Sequence, residues 1–211
     1  MSECCATLHR WFNACERVSF PFSKERIPPN GIYILFEKGE RGHGGDRIVR
    51  VGTHTGHHQL PSRLQQHFLK ENKDRSIFRK NVGRALLSRA EDPFLSVWEL
   101  DLTSHQARAT HEGQVDRARQ LDVEQEVSAY IRDNFTFLVF PVAEQADRLR
   151  LESRLISTIS LCEECQPSSA WLGRFSPKSR IRECGLWQVN ELYKDPFSSD
   201  ELAMLGEGLE F

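Results

Sequence analysis

Two short segments constrain this 211-residue chain more than any other feature, because each reads as a β-strand. Residues 31–36 (GIYILF) and 47–52 (RIVRVG) are dominated by β-branched and aromatic side chains, which suit a pleated, packed surface. Between them runs EKGERGHGGD, rich in glycine and charge, which reads as a loop. Two strands joined by roughly ten polar residues predict an antiparallel hairpin with a long loop. Residues 94–102 (FLSVWELDL) alternate like a half-buried strand, and 135–142 (FTFLVFPV) is the most strand-like run of the chain.

The remaining periodicity is helical. Leu60, Leu64 and Phe68 recur at helical spacing behind Pro61, which suits a first turn. A second helix is predicted over 76–90, basic on its outer face. Longer helices are predicted over 114–134 and 145–159. Ser176 and Pro177 form an N-cap and first-turn pair, and Gly185 stops the short helix they open. The last sixteen residues are acidic and read as a loose tail. The predicted class is α+β, a small antiparallel sheet flanked by helices. Three segments are expected: a helical N-terminus over 1–25, a central domain with helical insertions over 26–160, and a C-terminal extension over 161–211.

Composition narrows the class further. With 39% hydrophobic and 27% charged residues the chain can bury a core and is not disordered. No apolar run reaches the roughly 18 residues of a membrane span, and the N-terminus lacks a signal-peptide core. No membrane association and an intracellular, cytoplasmic location are therefore expected. The net charge of −2 hides an asymmetry, since residues 24–90 carry 14 Lys and Arg against six Asp and Glu. Such a basic half suits a polyanion.

Six cysteines in an intracellular chain are expected to be reduced. Cys162 and Cys165 form a CxxC, with Cys184 beyond, but no second CxxC supplies a fourth zinc ligand. Free thiols are the expectation, with a zinc-stabilised interaction protein on those three cysteines as an alternative. His54, His57 and His58 are expected in solvent.

Three further groups carry chemistry. On a helix over 145–159, Glu152 shares a face with Leu149, Ile156 and Ile159. A carboxylate set in an apolar stripe needs a nearby cation. Arg63 and His67 lie four apart on one helical face, an arrangement that suits a phosphate. On the first strand Tyr33 and Leu35 point one way, and Ile32, Ile34 and Phe36 point toward the expected core. Arg50 is expected on the same side as Ile48.

The order of these groups resembles the GIY-YIG endonuclease family: GIY at 31–33, RVG at 50–52, Arg63 with His67, then a helical Glu152 after a strand. The resemblance covers residues 31–160 and continues more weakly to Asn190, which matches a late polar residue of some members. Where the family has Tyr-Ile-Gly, this chain has Arg50-Val51-Gly52. The resemblance implies metal-dependent hydrolysis of phosphodiester bonds in double-stranded DNA. Glu152 would bind a single Mg²⁺ or Mn²⁺. Tyr33 would orient or deprotonate the attacking water, and Arg63 would neutralise charge on the phosphoryl oxygens. His67 would assist proton transfer, and Arg50 would fill the space of the missing tyrosine and meet the phosphate. Gly52 suits close approach of backbone to substrate. DNA contacts are expected from Arg75, Arg79, Lys80 and Arg84 on the second helix, from the loop over 37–46, and from Arg174, Lys178, Arg180 and Arg182 around the short late helix. A catalytically inactive DNA-binding module is the other alternative, motivated by the absent second tyrosine.

Overall fold

A computed structural model describes residues 2–208. Strands β1 (Val18–Ser19), β2 (Gly31–Gly42), β3 (Gly45–Gly52) and β4 (Phe135–Pro141) pair antiparallel in the order β1-β4-β2-β3. The predicted hairpin is present, but its loop is not. β2 and β3 continue to a turn at His43 and Gly44, both with positive φ, so 37–46 is mostly strand. Lys38 and Arg41 of that stretch are exposed, but Glu37 and Glu40 are buried and hydrogen-bonded rather than solvated. Arg47 Nε donates to Glu40 at 3.0 Å. Glu37 accepts from the indole nitrogens of Trp171 at 2.7 Å and Trp187 at 2.8 Å.

Helices cover both faces of the sheet, so both alternating sets of β2 are core. α2 (Leu60–Phe68), α3 (Ile77–Arg89) and α6 (Arg117–Asn134) pack on the face of Tyr33, Leu35, Phe135 and Phe137. α1 (Ser2–Ala14) and α7 (Gln145–Ser160) pack on the face of Ile32, Ile34, Leu138 and Phe140. α6 begins at Arg117 because Asp116 caps it, its carboxylate accepting from the Arg119 N–H at 3.1 Å.

Residues 94–102 are not a strand. They hold a helical turn, α4 (Leu95–Trp98), and irregular chain, followed by α5 (His105–Thr110). Phe94, Leu95 and Trp98 also fit a helical turn, and tertiary packing decides for it. The Trp98 indole donates to the Lys80 carbonyl at 3.0 Å and lies against Gly83. α8 (Ser179–Cys184) starts beyond Ser176 and ends, as predicted, on left-handed Gly185. The acidic terminus is a helix, α9 (Ser199–Gly208), with Leu202 and nearby Phe197 buried in the second core. Its final residues lie outside the described ones.

Candidate active site

Tyr33 and Gly52 are direct partners across β2 and β3. The pairing carries a β-bulge, since Leu35 faces Arg50 while Phe36 faces Ile48, leaving Val49 extra. The bulge turns Val49 and Arg50 to the face of Tyr33, and leaves Ile48 and Val51 on the other. Arg50 is therefore opposite Ile48 rather than beside it, which corrects the simple alternation read from the sequence. Its Nε donates to Tyr33 Oη at 3.3 Å, and its Nη1 donates to the Trp187 carbonyl.

Two glycines are set by sterics here. A Cβ on Gly31 would meet the Phe140 carbonyl at 2.2 Å, and one on Gly52 would meet Tyr33 Cζ and Oη at 2.2 Å. Gly52 thus makes room for the phenol, rather than for substrate.

α2 buries Leu60, Leu64, His67 and Phe68, while Arg63 stays half-buried at its edge. Tyr33 Oη lies 2.8 Å from His67 Nε2, and His67 Nδ1 lies 2.7 Å from Ser76 Oγ. Ser76 was not singled out in the sequence, where it reads only as the first residue of a helix. It is the N-cap of α3 and accepts from the Arg79 N–H at 3.2 Å. Its signal was the capping preference of serine ahead of IFRKN. Burial holds His67 well below the ordinary histidine range, helped by the charges of Arg63, Arg50 and Arg79. The imidazole is therefore neutral, with one nitrogen that donates and one that accepts.

A cleft of 540 Å³ opens above this network, lined by Arg50, Arg63, Leu149, Glu152, Gln188 and Asn190. Tyr33 and His67 have no exposed surface and lie beneath its floor. Across the cleft from α2, Glu152 on α7 accepts from the Thr53 backbone N–H at 3.1 Å. Burial raises its pKa, while the charge of Arg50 and the Thr53 hydrogen bond oppose the rise. Leu149, expected on the same stripe, is exposed at the rim. An adjoining recess adds Thr53, His54, Thr55 and Gln59 to the surroundings of Glu152. One carboxylate among hydroxyl and amide oxygens, with space for water, is a donor set that fits a hard divalent cation.

The basic residues divide sharply. Arg79 is fully buried, its Nη2 2.7 Å from Glu124 Oε2. Lys80 donates to the Glu99 carbonyl at 2.9 Å, and Arg84 Nε donates to Glu99 Oε1 at 2.6 Å. α3 is enclosed by α4, α6 and the 172–175 segment, so its expected basic outer face is an interior one. Buried guanidinium groups held by carboxylates do not present themselves to phosphates. The 37–46 stretch is likewise withdrawn, because it is strand and its tip lies at the far end of the hairpin from Tyr33. Arg75 is exposed, and its carbonyl accepts from Arg63 Nη1 at 3.3 Å. Arg174 is tied to the carbonyls of Ser168 and Pro167, each at 2.6 Å, and Arg182 to that of Ser176. Lys178 is exposed, and Arg180 Nη1 donates to the Val189 carbonyl at 3.0 Å beside Asn190.

The histidine loop divides too. His57 and His58 are exposed and stacked, as expected for solvent, but His54 is buried and lies 3.4 Å from the Gly31 N–H. The set Cys162, Cys165 and Cys184 does not assemble. The Cys184 thiol is buried among backbone groups, with the Leu186 N–H at 3.3 Å, whereas Cys162 and Cys165 turn toward α1 and the hairpin tip.

The fold and these residues define a class. A sequence model of the GIY-YIG domain matches residues 7–210, nearly the whole chain. The chain belongs to the GIY-YIG domain family, and its sheet with flanking helices is the α+β fold of that nuclease family. A nuclease-type function acting on nucleic acid follows in general terms. The match runs through α1 and through the region after residue 160. Neither the curated proteins nor the solved structures include a match. Among the described residues no helix is long and apolar enough to cross a membrane.

Proposed function

We propose that this chain is an endonuclease that hydrolyses phosphodiester bonds in double-stranded DNA with a divalent metal ion. The observation that carries the reading is the chain of contacts from the cleft inward: Arg50 to Tyr33, Tyr33 to His67, His67 to Ser76. Glu152 would hold Mg²⁺ or Mn²⁺, which when bound supplies Lewis acidity to a phosphate oxygen. Arg63 and Arg50 flank the cleft and would neutralise charge on the phosphoryl group as it develops. With Nδ1–H given to Ser76, His67 Nε2 accepts the Tyr33 hydroxyl and is placed to take its proton. A phenolate formed on Tyr33 would keep the hydrogen bond from Arg50. Asn190 lines the cleft on the side of the late helix, and Arg180 is held to the carbonyl of the cleft-lining Val189; both would position the strand.

One observation favours a second reading, a nucleic-acid-binding module without activity. Tyr33 has no exposed surface, and Arg50 stands where the family carries its second tyrosine. Incubation of purified protein with supercoiled plasmid, with and without Mg²⁺ or Mn²⁺, separates the two. Metal-dependent nicking that is lost in Tyr33→Phe supports the nuclease. Salt-sensitive binding with no cleavage under any metal supports the module.

A further inference from the structure

On the face of the sheet opposite Tyr33 and His67, five sulfur and imidazole side chains from three distant segments meet. Cys5 and His9 sit one turn apart on α1, His43 occupies the β2–β3 turn, and Cys162 and Cys165 follow α7. The ligand atoms of Cys5, His9, His43 and Cys165 all lie within 4.8 Å of one another. Cys162 Sγ is 3.3 Å from His43 Nε2, and Cys5 is in side-chain contact with both Cys162 and Cys165. The described cysteines are all unpaired, so three converging thiols make no disulfide.

His9 is already satisfied by backbone. Its Nδ1 lies 2.9 Å from the Cys5 carbonyl, and its Nε2 accepts from the Ile48 N–H at 3.1 Å while lying 3.4 Å from Cys165 Sγ. His43 differs in what lies behind its ring: Nε2 points to the Cys162 thiol, and Nδ1 lies 4.0 Å from the Glu164 carboxylate. A carboxylate behind the second nitrogen is how metal-bound imidazoles are oriented. Three thiols and one such imidazole, with two of the cysteines in a CxxC, form the donor set of a closed tetrahedral zinc site.

We infer that Cys5, His43, Cys162 and Cys165 hold a structural zinc ion, with His9 beside it locking α1 to β3. The ion joins residues 119 positions apart at His43 and Cys162. It fastens the N-terminal helix and the hairpin tip to the C-terminal end of α7, the helix that carries Glu152. It is independent of any metal at Glu152, whose donors are oxygens.

The test uses the full chain purified under reducing conditions without added metal. About one zinc per chain is expected by elemental analysis. Exchange with Co²⁺ should give the visible absorption of a tetrahedral site together with thiolate charge-transfer bands. Cys162→Ser and Cys165→Ser should each lower zinc content, while Cys184→Ser and Glu152→Gln should keep it. Because a cysteine variant can fail to fold, the parent protein stripped by chelator is also titrated with Zn²⁺. Proton release and a rise in Tm are expected on binding. Absence of zinc in the purified protein together with no rise in Tm on titration would overturn the site. Full zinc retention in both cysteine variants would overturn it as well. Zinc lost in His9→Gln but kept in Cys162→Ser would overturn this ligand set.

Discussion

The Tyr33 phenol occupies the space that a Cβ at Gly52 would take, 2.2 Å from its Cζ and Oη. The two residues are register partners, so the ring lies flat across the neighbouring strand and its hydroxyl is delivered to His67 and Arg50. Gly52→Ala must therefore displace the phenol, because β3 is buried on both faces and cannot retreat. Overpacking of this kind costs about 1–3 kcal/mol. Loss of the Tyr33–His67 contact should lower cleavage by roughly 10²-fold or more. Thermal unfolding and plasmid nicking on one variant check both. A stable Gly52→Ala with parental nicking would remove Tyr33 from the chemistry.

Much of this site was legible because its parts are local. Pro61 with Leu60, Leu64 and Phe68 placed α2, and the spacing of Arg63 and His67 followed from the helix. The stretch 135–142 was read as a strand, and Gly185 as a helix stop, from residue type alone. What escaped depends on partners far away in the chain. EKGERGHGGD reads as a loop because its charges look solvated, yet Glu37 is neutral-donor bonded by two tryptophans more than a hundred residues on. Arg79 reads as a surface cation because Glu124 cannot be seen from α3. Arg50 was placed on the wrong side because a bulge of one residue reverses alternation. The Cys5–His9 pair on α1 was invisible as a ligand source because its complement lies at His43 and beyond residue 160.

The division among basic residues predicts two different phenotypes. Arg79→Ala leaves Glu124 buried without its guanidinium, which should cost about 3–5 kcal/mol in urea unfolding. It should leave the salt dependence of DNA binding unchanged in the folded fraction. Lys178→Ala combined with Arg180→Ala should behave oppositely. Folding should be kept, and the slope of log K against log salt should flatten by at most about two units. A flattened slope in Arg79→Ala would mean that α3 opens to bind DNA.

His67 predicts how stability responds to acid. Its folded pKa is depressed by burial, so below about pH 6.5 the unfolded chain takes up a proton that the folded chain does not. Its contribution to stability is complete above that pH and declines as pH falls toward the folded value, by up to about 1.4 kcal/mol per pH unit. His67→Gln stays neutral and can still bridge Tyr33 and Ser76, so it should lack this component. Urea unfolding of parent and variant at pH 7 and pH 5 measures the difference. Equal pH dependence in the two would show that His67 does not carry the proton linkage.

Glu152 separates a metal-holding role from a structural one. It forms no ion pair among the described residues; its hydrogen-bond partner is the Thr53 N–H, and burial raises its pKa. An ionised carboxylate there is held at a cost that grows as pH rises through its ordinary range, so neutral Glu152→Gln should be as stable as the parent at pH 7 or more stable. A variant lacking that charge should also bind DNA at least as well, since a negative group beside phosphate is gone. It should cleave little at any Mg²⁺ or Mn²⁺ concentration, because an amide is a poor ligand for a hard cation. In the parent, Mn²⁺ must displace the Glu152 proton, so its affinity should fall about tenfold per pH unit once pH drops below the raised pKa. Melting temperature, DNA affinity, Mn²⁺ affinity from pH 5 to 8, and plasmid nicking settle the assignment together. A Glu152→Gln protein that melts early yet still nicks DNA with parental metal dependence would make Glu152 a structural residue and leave the cleft without its metal ligand.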